Sequence, residues 1–166
     1  FTAVTELLFV TKQSRRTAFS PGTLCQAMLR LRYVGGTSFQ YIVYFAPSTT
    51  PVTMRAFVTT LTTSYTAAEN GFRQSNNVIS YETMQHGPVC SFKIMYADLR
   101  NGCFILRSFG PGCTTACRLL QTASTVNRDI PPVCNQVYMQ NCYKLTKKIY
   151  YPICWMRLPH IVKWDS

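Results

Sequence analysis

Eight cysteines lie between Cys25 and Cys154 of this 166-residue chain, and six of them fall in the stretch from Cys103 to Cys154. An even number in so short a chain points to an oxidising compartment and up to four disulfides. Zinc would call for two matched close pairs. Only Cys113-x3-Cys117 is close, and His86 and His160 stand far from it. Within the last third, cysteine is carried by two short strand-like runs (Cys103–Leu106 and Cys117–Leu120), by a short helix, and by the closing segment Ile149-Tyr-Tyr-Pro-Ile-Cys154. Such a stretch is pinned covalently to a body it does not itself enclose, and the residues upstream read as that body.

The upstream body is a series of strands. Leu7–Val10 is a first apolar run leading to a basic loop, and Ser20-Pro-Gly22 is a turn. From Cys25 the pattern has period two. Cys25, Ala27, Leu29, Leu31 and Tyr33 fall on one side, Gln26, Met28, Arg30 and Arg32 on the other, as in a half-buried strand. Gly35-Gly36 turns the chain into Phe39–Phe45. Arg55–Tyr65, with its β-branched threonines, and Asn77–Met84 follow. Cys90–Ala97 and Cys103–Phe109 form a hairpin about Asn101-Gly102, and Cys117–Thr122 closes the series. Eight meandering strands predict an all-β, up-and-down antiparallel barrel.

One helix follows, with Asp129 as candidate cap and Pro131-Pro132 in its first turn. The expected layout is a single domain over 1–166, with a barrel at about 5–123, a helix at about 131–145, and an extended segment and tail over 148–166. This is the architecture of an eight-stranded lipocalin barrel with one C-terminal α-helix packed outside.

The net charge is +11, from 17 Lys and Arg against 6 Asp and Glu. It favours an anionic partner, but the basic residues are scattered and form no arm for nucleic acid. No apolar run reaches the ~20 residues of a membrane span. The cysteines imply secretion, with Phe1 following a removed signal peptide. Catalysis is not expected: there is no Gly-x-Ser-x-Gly, and neither histidine has an evident acidic partner. No cofactor or metal is implied.

The ordering Tyr96-Ala-Asp98, Cys103, Cys117-x-Leu119, Pro132-x-Cys134, Tyr138, Cys142, Tyr150 and Cys154, with Cys25 in the second strand, resembles the tick salivary lipocalins, the histamine-binding-protein family. The resemblance implies disulfides Cys25–Cys154 and Cys103–Cys134, then Cys117–Cys142, leaving Cys90 and Cys113. If the Asn-Gly hairpin pairs Ala97 near Phe104, its open end brings position 90 beside 111–113, so that last pair is sterically sensible. Eight cysteines allow about 105 connectivities.

Family members capture small mediators such as histamine, serotonin or leukotrienes in the barrel, or bind host proteins including complement components. Amine binders of the family place an acid just after the cysteine of Cys-x-Leu, where this chain has Arg118. Glu82 and Asp98 are the only acids on strands, and Asp98 reads as a turn-former. An anionic lipid fits the charge better, with Arg30, Arg32, Arg55 or Arg107 at the mouth, although period two turns Arg30 and Arg32 outward. Phe39, Tyr41, Phe57, Phe92, Tyr96 and Arg107 are the barrel-ligand candidates. The aromatics can equally fill the barrel, making it a scaffold.

The leading expectation is therefore sequestration of a host plasma protein, a complement component, to inhibit host immunity. Its candidate contacts are Arg15, Arg16, Arg73, Trp155, Arg157 and Trp164, residue types common in binding hot spots. The tail from Trp155 to Trp164 can equally pack on the barrel. A glycosaminoglycan contact through the basic surface can accompany either reading.

Overall fold

A computed structural model describes residues 1–15, 24–47, 54–65, 77–110, 112–142, 145–158 and 161–164, the last of these as backbone only. The strands are β1 (Leu8–Ser14), β2 (Leu24–Gly35), β3 (Ser38–Ala46), β4 (Met54–Ser64), β5 (Val78–Glu82), β6 (Val89–Asp98), β7 (Cys103–Phe109) and β8 (Cys117–Thr122). After them come α1 (Pro132–Asn141), β9 (Thr146–Lys148), α2 (Pro152–Arg157) and β10 (Ile161–Trp164).

β1 to β8 pair antiparallel in chain order. β1 also pairs with β8, and β4 with β5, so the sheet closes into an eight-stranded barrel with no free edge among these strands. Short turns set the register. In the β6–β7 hairpin Ala97 lies opposite Phe104 and Asp98 opposite Cys103. Gly102 takes φ +62°, and a Cβ there would run into Thr122 Oγ1, so this turn admits only glycine. Asp98 holds the same turn, accepting hydrogen bonds from Asn101 N (2.9 Å) and Asn101 Nδ2 (2.8 Å). Those bonds hold its carboxyl below the usual range.

Where the C-terminal segment packs on it, the wall is buried on both faces. Leu8, Val10, Met28, Tyr41, Leu61, Ile79, Phe92, Phe104 and Leu120 form the interior. Outside, Phe9, Cys25, Ala27, Tyr44, Met54 and Ala56 pack beneath Tyr150 and Cys154. A second outer cluster, Cys103, Ile105, Cys117 and Leu119, receives Cys134 and Tyr138 of α1. Those two helix residues are four apart and so share one face.

The alternation expected for β2 is present, but its facing is reversed. Met28 enters the barrel, while Cys25 and Ala27 face the C-terminal segment. Both faces carry apolar residues because both are covered, and alternation alone does not say which is inner.

Four disulfides join Cys25–Cys154, Cys103–Cys134 and Cys117–Cys142, the pairs the resemblance implies, and Cys90–Cys113, the pair left over. Three of them tie the barrel wall to the C-terminal third; Cys90–Cys113 clamps one end of the barrel. At Cys25 the backbone is left-handed (φ 54°), a strained conformation for a residue with a Cβ. There β1 and β2 part, and Ile149 fills the seam: its carbonyl accepts from Cys25 N (3.2 Å) and its N–H donates to Thr11 O (2.9 Å). Ile149 is wholly buried among the interior residues.

Three C-terminal expectations need correction. Asp129 does not cap α1. The N-cap is Pro131 with no side-chain cap, and Pro132 starts the helix, its missing N–H costing nothing there. α1 ends at Asn141 rather than near 145. The segment 148–166 is not extended throughout, since Pro152 opens α2, whose Cys154 is buried and disulfide-bonded. The tail docks rather than hanging free: β10 runs parallel to β4, with Trp164 opposite Ala56. Among the described residues no helix is long and apolar enough to cross a membrane.

Candidate functional site: the barrel interior

Strand alternation decides which side chains point inward. On β3 and β4 the pairs Phe39–Leu61, Tyr41–Thr59, Val43–Phe57 and Phe45–Arg55 share the inner face with the buried Tyr41 and Leu61. Arg55 therefore lies on the inner face with Phe45 and Phe57, whose rings meet at 6.1 Å. On β2 the inner residues are Gln26, Met28 and Arg30; Arg30 lies opposite Tyr41, and its guanidinium sits 5.1 Å from the Phe39 ring. Arg30 Nη1 donates to Thr2 O (2.8 Å). A bulge between Arg30 and Arg32 then turns Arg32 outward, where its Nε donates to Gln40 Oε1 (2.7 Å). The outward facing expected for both arginines thus holds for Arg32 and fails for Arg30.

Arg118 is the most deeply placed cation. It sits on β8 between the outward Cys117 and Leu119 and is 4% exposed. Its Nη1 donates to Tyr81 Oη (2.9 Å) and its Nη2 to Gln26 Oε1. Tyr81 stacks on Phe92 at 5.4 Å. Nearer the middle, the Tyr41 hydroxyl is buried without a hydrogen-bond partner among the described residues. Burial pushes its pKa up to about 12; nearby Arg30 opposes that shift and Tyr81 adds to it.

The inner face therefore carries Arg30, Arg55 and Arg118. The four described acids lie elsewhere: Glu6 accepts from Ser124 N, Asp98 holds its turn, Asp129 lies before α1, and Glu82 alternates outward from the buried Tyr81. Sequence reasoning missed Arg118 as an inner residue, although its position after Cys117 in the Cys-x-Leu motif was the available signal.

The two ends of the interior differ. At one end the Phe1 ring packs on Phe104 (5.6 Å) and Tyr41 (6.4 Å), beside a cavity of about 210 Å³ lined by Phe39, Val78, Ile79 and Ile94. Arg118, Arg55 and Phe57 lie towards the other end, near the last residues of β1, β3, β5 and β7 and the first of β2, β4, β6 and β8.

Of the barrel-ligand candidates, Tyr41, Phe57 and Phe92 are buried on the inner face and Phe39 is half-buried there. Tyr96 and Arg107 are corrected. A bulge between Ile94 and Tyr96 keeps Ile94 inside and puts Tyr96 against the outer cluster under α1. Arg107 alternates outward, opposite Cys117, and is exposed.

Of the surface candidates, Arg15 is exposed and its N–H donates to Leu145 O (2.9 Å). Trp155 is 44% exposed, with its ring 5.6 Å from that of Phe9, and Arg157 is exposed in the last turn of α2. Arg16 and Arg73 lie outside the described residues, as does the side chain of Trp164. Among the described residues no group of three or more His, Cys, Asp and Glu could hold a metal ion.

Residues 13–156 match the family model described as tick histamine binding protein. The chain belongs to the tick histamine-binding protein family. Among solved structures it is similar to Japanin from Rhipicephalus appendiculatus bound to cholesterol, with a TM-score of 0.64 at 15% identity, covering 88% of this chain and 92% of that one. At that identity the likeness shows the fold, a lipocalin barrel with its C-terminal helix. A search of curated protein sequences gives no match. Arg118, the residue after the cysteine of Cys-x-Leu, puts a guanidinium inside the barrel.

Proposed function

We propose that this chain is a secreted, non-enzymatic lipocalin that captures an amphipathic organic anion in its barrel: a carboxylate on a long apolar body, such as a leukotriene. The observation that carries the reading is the buried Arg118, presented inside the barrel by Tyr81 and Gln26. Histamine or serotonin would bring an ammonium to a face built with guanidinium groups, at a desolvation cost that only a carboxylate could offset. A sterol of the kind bound to Japanin offers one hydroxyl, whereas a carboxylate accepts charge-assisted hydrogen bonds from a guanidinium fork. The ligand enters from the end where Arg118 and Arg55 lie. Its hydrocarbon part runs towards the Phe1, Tyr41 and Phe104 rings.

Displacement of a fluorescent fatty-acid probe tests this. A polyunsaturated long-chain carboxylate should displace the probe, while its methyl ester and histamine should not. Equal displacement by acid and ester would remove the role assigned to charge.

A second reading, sequestration of a host plasma protein such as a complement component, is favoured by one surface. α2 and its N-cap expose Tyr151, Ile153, Trp155 and Met156 beside Arg157. Pull-down from vertebrate plasma with the oxidised protein should then enrich one protein at physiological salt, and Trp155→Ala should abolish the enrichment. An unchanged capture by that variant would move the contact off α2.

A further inference from the structure

Outside the barrel, between β1, β8, the first turn of α1 and the segment around β9, lies a groove of about 650 Å³. It belongs to neither reading above. Its floor includes Thr11 and Gln121, joined by a hydrogen bond from Thr11 Oγ1 to Gln121 Oε1 (2.8 Å). Gln121 is 1% exposed, and its Nε2 is buried without a partner among the described residues. A buried amide donor left without an acceptor is costly, and its presence on the groove floor marks a place for an acceptor atom.

The walls carry charge and further amides. Lys12 Nζ donates to Asn135 Oδ1 (2.9 Å) and lies 4.5 Å from the Tyr138 ring centre. Lys148 and Arg128 add two cations against the single carboxylate of Asp129. The α1 N-terminus, which has neither a side-chain cap nor an acidic residue in its first turn, meets the groove at Ile130 and Asn135. Opposite them, Tyr150 donates from its hydroxyl to Asn127 Oδ1 (2.7 Å), and Pro152 adds an apolar edge.

We infer that this outer groove binds an acidic sugar, the sulfated or uronate-bearing unit of a glycosaminoglycan. Lys12 and Lys148 take its charge, and the Asn127, Asn135 and Gln121 amides take its hydroxyl and ether oxygens. A bare inorganic anion would use the cations alone. A lipid chain would offer no acceptor to Lys12, Lys148 or the buried Gln121 amide. An acidic sugar, which has an apolar C–H face and many oxygens, uses both kinds of wall.

The test is calorimetric titration of the oxidised protein at physiological salt with a heparin-derived tetrasaccharide, and separately with sodium sulfate. One tetrasaccharide per molecule is expected, with affinity falling about tenfold in Lys12→Gln/Lys148→Gln. Because Lys12 is half-buried, Lys148→Glu is the second variant and should weaken binding by a similar factor. Arg15→Gln, exposed outside the groove, should change it less than about twofold. Saturating the barrel with a long-chain carboxylate should leave the titration unchanged, so failure here and failure of the barrel reading are distinguishable. Equal weakening by Arg15→Gln would show diffuse charge attraction and overturn the groove. Sodium sulfate binding as tightly as the tetrasaccharide would overturn the sugar.

Discussion

The two faces of the barrel wall are built from similar apolar residues but are held in different ways. The outer face is covered by a C-terminal third that is bonded to it through Cys25–Cys154, Cys103–Cys134 and Cys117–Cys142. The inner face has a single cross-brace, Cys90–Cys113 at one end. It is otherwise filled by the barrel's own aromatics and by arginines, of which Arg118 donates to Tyr81 and Gln26 and Arg30 to the Thr2 carbonyl. A face locked by covalent bonds suits a structural role. A face carrying the buried Arg118 and the half-buried Arg30 and Arg55, beside a Tyr41 hydroxyl that has no partner among the described residues, suits a ligand. Stability should therefore be lost from outside and binding from inside.

The largest effect is expected from Cys25→Ser/Cys154→Ser. That bond spans 129 residues, and opening so long a loop in the unfolded chain costs about 4–5 kcal/mol. Denaturant unfolding should show this loss to exceed that of Cys90→Ser/Cys113→Ser, which closes 23 residues and is worth about 3 kcal/mol. The reverse order would break the assignment of the brace to the outer face. Next, Arg118→Gln should weaken carboxylate binding by about 2 kcal/mol, the scale of a charge-assisted hydrogen bond, as read by probe displacement. Its effect on histamine should be nil or opposite in sign.

Tyr41→Phe removes a buried hydroxyl that has no partner among the described residues, so it should leave stability unchanged or raise it by up to about 1 kcal/mol. A loss above that would mean the hydroxyl is satisfied without ligand. The smallest effect is in pH. The Tyr41 phenol titrates near 12 when folded against about 10 in the unfolded chain, so its contribution is complete below pH 10 and is lost as pH rises from 10 through 12. Tyr44, Tyr138 and Tyr150 are also raised by burial and share the fall. Tyr41→Phe should shallow the decline, followed by urea midpoints across that window.

Much of the fold was legible because local rules agree in the second half of the barrel. Asn101-Gly102 fixed the β6–β7 hairpin, and β7 and β8 have the bounds the sequence pattern predicts. The inner face was harder to read, for three physical reasons. A wall covered on both sides shows apolar residues on both, so Cys25, Ala27 and Leu29 look like a core-facing set when they in fact face the outer segment. The bulges at Arg30/Arg32 and Ile94/Tyr96 shift the alternation midway, which sends Arg32 and Tyr96 outside while Arg30 stays in register with the inner Met28. The six-residue α2 is too short for a helical period and is held by Cys154, so nothing in its pattern announces it.

The most direct test of a cationic barrel interior is carbon-13 NMR of a carboxyl-labelled long-chain fatty acid bound to the oxidised protein. One bound carboxyl resonance is expected, ionised well below the pH at which the free acid titrates and losing this protection in Arg118→Gln. A bound carboxyl that titrates like the free acid, or one indifferent to Arg118→Gln, would contradict it.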